Sequence, residues 1–565
     1  MSNNTFAARR GRGPVLLALT LGCLAGVARP AFAGDTEDEI RLLKAQLKRL
    51  EAKVEAQSRE RRRETAALKA SAPKPGAAGA PTPVAASGGV VLPSVAIAPL
   101  SGAPAYGNAA THAAITGMPT TGAPSLFING VSITPGGFFA LEGVYRSRFI
   151  GADMSTPFQN IPYPNVRSGQ SNEFRISSRH SRAILLVKGD VDPQTHLSGY
   201  MEADFLGAAQ TANSNESNSY NFRLRQMYAA ADWDAWGLHL LAGQSWSLAT
   251  ADAKGIMPRQ ENIPLVIDAQ YVPGFVWART PQLRLVKEFG GGFWAGVSAE
   301  NPATTFGGYT TVGTTATTLP SSLVYNALPV GGSLFNSANA LSLNHVPDVI
   351  GKAAWDVNLA GHDVHVEGFG LYRSFYYQVN NASHNVSGGG GGGSIQVSIL
   401  PKMLELQFSG MAGTGVGRYG TGQLPDVTFN WNGGIAPVGE TMLLAGLVAH
   451  PLAALDVYVY AGQETQRPTY STSYVNGAAN PFGLGNPLFS NAGCWTLGST
   501  VCNGNIRYVR QITGGFWDKI YQGSFGQLRA GLQYSYTQKA SFNGVGGTAK
   551  ADDSMVLGSL RYFPF

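Results

Sequence analysis

The chain has 565 residues, of which 13% are charged and 10% aromatic; 71 are glycine, and the mean hydropathy is -0.04. Such a composition excludes a disordered chain and a bundle of membrane helices, and it is shared by all-β proteins and membrane barrels. A net charge of +6 does not point to nucleic acid either. Residues 1–125 carry 15 Lys+Arg against 8 Asp+Glu, whereas 126–565 carry 26 against 27, so no nucleic-acid partner is expected.

Residues 1–33 have the form of a secretory signal. Arg9, Arg10 and Arg12 precede the apolar stretch PVLLALTLGCLAGVA, and Ala31-Phe32-Ala33 offers a small-x-small cleavage site. Residues 34–70 contain a predicted helix. Ile40, Leu43, Leu47, Leu50 and Val54 are spaced 3, 4, 3 and 4 apart, which makes a narrow heptad seam. A stripe that narrow needs a partner, so the segment is expected to be a coiled coil that oligomerises the chain. Residues 71–125 are rich in Ala, Pro, Gly, Ser and Thr without period, and read as a flexible linker.

From 126 to 565 the pattern changes to alternation. In THLSGYMEADF, Leu197, Met201 and Phe205 point one way while His196, Ser198, Glu202 and Asp204 point the other. GQLRAGLQYSY and HDVHVEGFG behave alike. Short turns are expected near Asp192-Pro193, Ala235-Trp236, Gly290-Gly291, Ala360-Gly361, Pro401, Pro451-Leu452 and Tyr521. Between them fall eight long loops, near 151–172, 209–219, 250–272, 301–346, 380–393, 414–437, 466–503 and 540–551; the fifth includes six consecutive glycines at 388–393.

Sixteen strands with all short turns at one end suit a transmembrane barrel and not a sandwich. No stretch after the signal approaches the roughly 20 apolar residues of a membrane helix, and a sheet in lipid must close because lipid offers no partner to an open edge. The expected fold is thus all-β: a 16-stranded antiparallel transmembrane β-barrel over 126–565, preceded by a periplasmic coiled-coil helix. The chain ends GSLRYFPF. An aromatic terminal strand is expected to sit at the periplasmic girdle against strand one and to be read by the outer-membrane assembly machinery. Val556, Leu560 and Tyr562 share one parity, however, and Phe563 and Phe565 the other, which calls for a register shift or a revised face.

The order of helix, linker and barrel resembles the DcaP-like trimeric porins. The local sequences that carry the resemblance are SRHSRAILLVKGDV, SGYMEADFLG, FRLRQMYAAAD, LLAGQSWSL and ARTPQLRLV, all within 174–288. The resemblance implies a homotrimer in outer-membrane lipid, each barrel a separate pore for small anionic solutes, dicarboxylates among them.

A pore needs a narrow place and a charge pattern there. Arg175 and Arg179 share one face of the second strand, and Arg223 and Arg225 one face of the fourth, opposite Phe222, Leu224 and Tyr228. Gln282 and Arg284 share a face of the sixth, with Arg279 nearby on the other parity. An Arg facing lipid at mid-membrane costs about 2–4 kcal/mol, so these side chains are expected in the lumen. Glu202 and Asp204 on the third strand would either neutralise the arginines or oppose them across a transverse field. The loop TADAKGIMPRQENIPLVIDAQYVP is the third outer one, which in porins of this architecture often folds inward; Lys254, Arg259, Glu261 and Asp268 would then line the constriction.

Cys494 and Cys502 bracket a polar loop and are expected to form a disulfide in an oxidising compartment. No metal or cofactor is expected: the His residues show no ligand spacing, and His362 and His365 lie on opposite strand faces. No nucleophile elbow or phosphate loop appears, so the chain does not read as an enzyme. The alternative is a structural or adhesin barrel tethered through its coiled coil.

Overall fold

Period-two alternation, repeated along 440 residues, becomes a single sheet that returns on itself. The computed structural model describes residues 116–119, 123–207, 221–308, 319–327 and 341–565. The signal over 1–33, the coiled coil over 34–70 and most of the linker over 71–125 lie outside these residues. Among the described residues no helix is long and apolar enough to cross a membrane.

The strands in chain order are β1 (Val131–Arg146), β2 (Glu173–Ser177 and Arg182–Asp192), β3 (Thr195–Asp204), β4 (Arg223–Trp233), β5 (Leu238–Trp246), β6 (Arg279–Gly290), β7 (Phe293–Glu300) and β8 (Asp348–Leu359). There follow β9 (His362–Val379), β10 (Ala382–Leu400), β11 (Leu404–Thr414), β12 (Gly439–Leu452), β13 (Leu455–Gln466), β14 (Ile506–Gly523), β15 (Gly526–Ser541) and β16 (Lys550–Phe563). Each pairs antiparallel with the next, and β16 pairs with β1 from Phe139↔Tyr562 to Arg146↔Met555, which closes a 16-stranded antiparallel barrel. β1 meets both segments of β2: its first half pairs with the second segment, its end with the first.

Burial is inverted relative to a water-soluble protein. Phe174, Leu283 and Ile512 are more than half exposed, whereas Glu142, Arg225, Arg373 and Glu464 are at most 1% exposed. Along the strands apolar side chains dominate the outward face and most charged ones face inward, as a lipid-embedded barrel requires.

The interior also holds chain from outside the wall. Met118 packs inside against Ile184, Tyr200 and Leu241, and Gly137 N–H donates to the Gly117 carbonyl (2.8 Å).

Two expectations are corrected here. The fifth outer loop, expected over 380–393, is instead a two-residue turn, Asn380-Asn381 (φ 52° and 60°), and the six glycines lie inside β10. Composition reads a glycine run as loop because it lacks side chains to pack. Here its neighbours supply them: a Cβ on Gly392 would stand 2.7 Å from the Phe369 ring, and one on Gly388 2.7 Å from Phe375. Strand packing therefore wins over propensity. At the C-terminus β16 keeps its register to Phe563, so the faces settle the parity conflict. Tyr562 points outward and donates to the Phe525 carbonyl (2.6 Å), while Phe563 is buried inside against Phe138 (5.3 Å between centroids).

The packing over β10 predicts that Gly392→Leu, whose Cβ would also meet the Gly410 carbonyl at 2.2 Å, destabilises the barrel by about 1–3 kcal/mol. Gly370→Ala on β9, with nothing within 4 Å of its added methyl, should leave stability unchanged. Urea unfolding in detergent followed by heat-modified gel migration measures both.

Candidate functional site

The loop between β5 and β6 (residues 247–278), hereafter L3, does not project outward. Its apolar run, Ile263 and Leu265 to Ile267, is buried with Trp517, Tyr458 and Tyr460 of the facing wall. Leu265 N–H donates to Tyr460 Oη (3.2 Å), Ile267 N–H to Gln533 Oε1 (2.5 Å), and Trp517 Nε1–H to the Leu265 carbonyl (2.7 Å). L3 therefore crosses the lumen from β5 to the wall of β13–β15. The loop after β1 lies against it: Ala269 N–H donates to the Met154 carbonyl (2.9 Å). So does the loop after β11, where Gln270 Nε2 donates to the Thr421 carbonyl (2.6 Å).

Glycine permits the closest approach. Gly274 of L3 has φ 94°, and a Cβ there would stand 2.1 Å from the Leu443 carbonyl. A Cβ on Gly462 of β13 would stand 1.9 Å from the Pro273 carbonyl. Between them Gly274 N–H donates to Glu464 Oε1 (2.7 Å).

At the near end of L3 the inward faces of β2, β3 and β4 carry a compact charge cluster. Glu202 forms an ion pair with Arg182 (3.2 Å) and accepts from Arg225 Nε and from Gln226 (2.8 Å). Asp204 accepts from Arg223 (2.6 Å) and Arg225 (3.2 Å). Arg225 also donates to Tyr271 Oη of L3 (3.1 Å). Three guanidinium groups face two carboxylates, which leaves positive charge over. β4 bulges here, because Gln226 opposes Glu202 and Leu224 opposes Ala203, with Arg225 the extra residue. The bulge shifts parity, so Tyr228 points inward beside Tyr200 (5.4 Å) and not outward with Phe222 and Leu224 as alternation predicts.

The other basic side chains are placed differently. The Arg279 guanidinium lies over Trp246 (4.6 Å to the centroid) and near Trp277 (5.7 Å), and its Nη1 is buried without a hydrogen-bond acceptor among the described residues. Arg284 donates to Gln282 Oε1 (3.0 Å) and to the Trp246 carbonyl, with no carboxylate in ion-pair range among the described residues. Arg259 of L3 donates to Tyr228 Oη (2.9 Å) and lies over Tyr200 (5.7 Å). Arg259 and Tyr271 both adopt left-handed backbone (φ 70° and 68°), costly for bulky residues and held here by these hydrogen bonds.

Arg175 lies on the inward face with Glu173 (3.5 Å) and is exposed there. Arg179 sits in the break within β2 and is spent on Asp153 (3.1 Å) and the Phe205 and Gly207 carbonyls (2.9 and 2.6 Å). Lys254 is exposed, and Glu261 and Asp268 are buried. Asp268 accepts from the backbone of Thr156 (3.1 Å) and Gln270 (2.9 Å), so it braces two loops and fronts no open space. Neither Glu261 carboxylate oxygen receives a hydrogen bond from a donor among the described residues, and burial followed by the neighbouring Asp252 pushes this carboxyl up to about 7. Cys494 and Cys502 are bonded (2.03 Å), and the Cys494 carbonyl accepts from Asn165 N–H (3.1 Å) of the loop after β1.

Arg182 is a cluster member that sequence reasoning did not single out. RAILLV is apolar on both faces, because Ile184 and Leu186 pack inward on Met118, and no parity signal marks its arginine. Lys352, bound to Asp252 and Glu367 (2.8 Å each), was likewise not singled out. Among the described residues no group of His, Cys, Asp or Glu could hold a metal ion.

A closed barrel of sixteen strands, greasy outside, with a loop folded through a charged interior, has the architecture of an outer-membrane channel. The outer-membrane channel DcaP of Acinetobacter baumannii shares this fold: TM-score 0.54 at 16% identity, over 78% of this chain and 100% of that one. An anion-selective porin from Comamonas acidovorans aligns at TM-score 0.42 and 11% identity, over 77% and 99%. No protein-family model matches the chain, and no curated protein does.

The glycine contact predicts that Gly462→Val lifts L3 from the wall. Amide hydrogen exchange across 262–276 should rise at least tenfold while exchange within β13 stays slow; unchanged protection would show that the loop is held elsewhere.

Proposed function

We propose that the chain is a passive outer-membrane channel for small hydrophilic solutes that favours anions, dicarboxylates among them, and works as a homotrimer with its N-terminal helix in the periplasm. It performs no catalytic step. The observation that carries the anion preference is the surplus of guanidinium over carboxylate where L3 meets β2–β6. The Arg182–Arg223–Arg225 ladder is largely consumed by Glu202 and Asp204, so it shapes the wall. Near L3, Arg279, Arg259 and Arg284 have no carboxylate within 4 Å among the described residues and are left to attract a solute carboxylate. Arg279 is the strongest candidate, since its guanidinium rests against the Trp246 ring and has no carboxylate partner among the described residues.

The competing reading is a non-conducting tether. It is favoured by the extent to which L3 and the loop after β1 fill the lumen. Planar-bilayer recording decides between the two. A channel gives current steps, in threes for a trimer, and liposome swelling faster with dicarboxylates than with neutral sugars of similar size; a tether gives neither.

Under a tenfold salt gradient, Arg279→Gln should lower the anion-to-cation permeability ratio severalfold with little change in stability. Arg175→Gln, remote from the L3 cluster, should change it little.

Glu261 makes the preference pH-dependent. It stays neutral below about 7 and gains a negative charge as the pH rises through that value. Anion preference should therefore be greater at pH 5 than at pH 8. Asp252, whose carboxyl burial also pushes up, adds in the same direction. Glu261→Gln should keep most of the acid-side preference at pH 8 and shrink the dependence of reversal potential on pH to what Asp252 leaves.

A further inference from the structure

The outward face of β11–β15 is not uniformly convex. It carries a groove of about 460 Å³, within the range of small-ligand sites. Register explains its shape. Across one row, Phe408 opposes Ala445, Ala445 opposes Ala461, Ala461 opposes Ile512 and Ile512 opposes Tyr536. Two alanines therefore form a low floor between the bulky walls of Phe408 on one side and Ile512 and Tyr536 on the other.

The next outward row, toward the long-loop end, is polar: Gln463 opposes Arg510, and Arg510 opposes Gln538. This row tops an apolar band of Val457, Val459, Ile512 and Phe516, which places it at the outer membrane interface. Arg510 is exposed; its Nη2 donates to Gln538 Oε1 (2.7 Å) and its guanidinium lies over Tyr508 (5.2 Å). Among the described residues no carboxylate stands within ion-pair distance of it. Asp552, on the same row, is taken by Arg148 (3.4 Å).

We infer that this groove binds a phosphorylated membrane lipid, with an acyl chain on the Ala445–Ala461 floor and the phosphate on Arg510 at its head. An arginine at the lip of an apolar trough has a free edge for two parallel hydrogen bonds to a phosphate, and the trough removes adjoining methylenes from competing contacts. Charge complementarity selects the anionic headgroup. A second copy of the chain would offer another outward apolar wall, leaving the trough unfilled and the guanidinium without an anion.

Native mass spectrometry of the full chain in detergent tests this, titrated with diphosphoryl lipid A and, in parallel, with its dephosphorylated form. The wild type should retain the phosphorylated lipid at least tenfold more tightly. Arg510→Gln should abolish that difference, and Ala461→Phe, which fills the floor, should weaken both forms. Conductance should stay at the wild-type level in both variants, which separates failure of the site from failure of the channel reading. Equal retention by the wild type and Arg510→Gln overturns the proposal. So does loss of the oligomer in Ala461→Phe with lipid retention unchanged, which would assign the groove to contact between copies. If Ala461→Phe does not fold, Arg510→Gln decides alone.

Discussion

Every other feature depends on one constraint: in hydrocarbon a backbone N–H or C=O has no partner except another backbone. A sheet meets it only by having no edge, and here the last strand finds the first from Phe139↔Tyr562 to Arg146↔Met555. Closure then dictates the sorting of side chains. Strand parity sends one residue to lipid and the next to the lumen, so Leu283 and Arg284, adjacent in sequence, sit in opposite media.

Polar side chains collected inside a cylinder must satisfy one another or water. Most of the lumenal cations here have a named acid: Arg146 with Glu173, Arg373 with Asp348 and Asp426, Arg561 with Glu142. These pairs span neighbouring or distant elements and leave little net field. An arginine in the lumen is therefore not in itself a selectivity element, since a guanidinium already held by two carboxylates offers a passing anion little. Among the described residues Arg259, Arg279 and Arg284 have no such acid, and all three lie in or beside L3. Trp246 and Trp277 occupy the space near Arg279 that an acid would otherwise fill.

The barrel could be read from the sequence because lipid enforces a strict alternation, and because short turns and long loops sort to opposite ends. The alternation failed at three places, each with a local cause. The glycines at 388–393 carry no side chains to alternate, and only the rings of Phe369 and Phe375 on the neighbouring strand show that they are strand. At Arg225 a bulge reverses the parity, which no count from Phe222 could anticipate. At Arg182 both faces of β2 are apolar, since Met118 from outside the wall covers the inner one. Of the candidate site, alternation offered a face for each arginine but nothing about its pairing. Which arginine meets Glu202 is decided by neighbours on two other strands and by Tyr271 in a loop.

The same alternation lets one stretch of wall serve two media. On β12 and β13, Leu444 and Glu464 face inward and hold L3, while Leu443 and Gln463 face outward and border the lipid-side groove. A side chain changed on one face leaves the other face's chemistry in place. The coupling that remains is steric and runs through the backbone. L3 approaches closely enough that the Pro273 carbonyl occupies the position a Cβ on Gly462 would need. That glycine lies between the groove floor at Ala461 and the polar row at Gln463. A wall only one residue thick can hold a loop on one side and a lipid on the other, provided its backbone stays narrow at the point where the loop touches it.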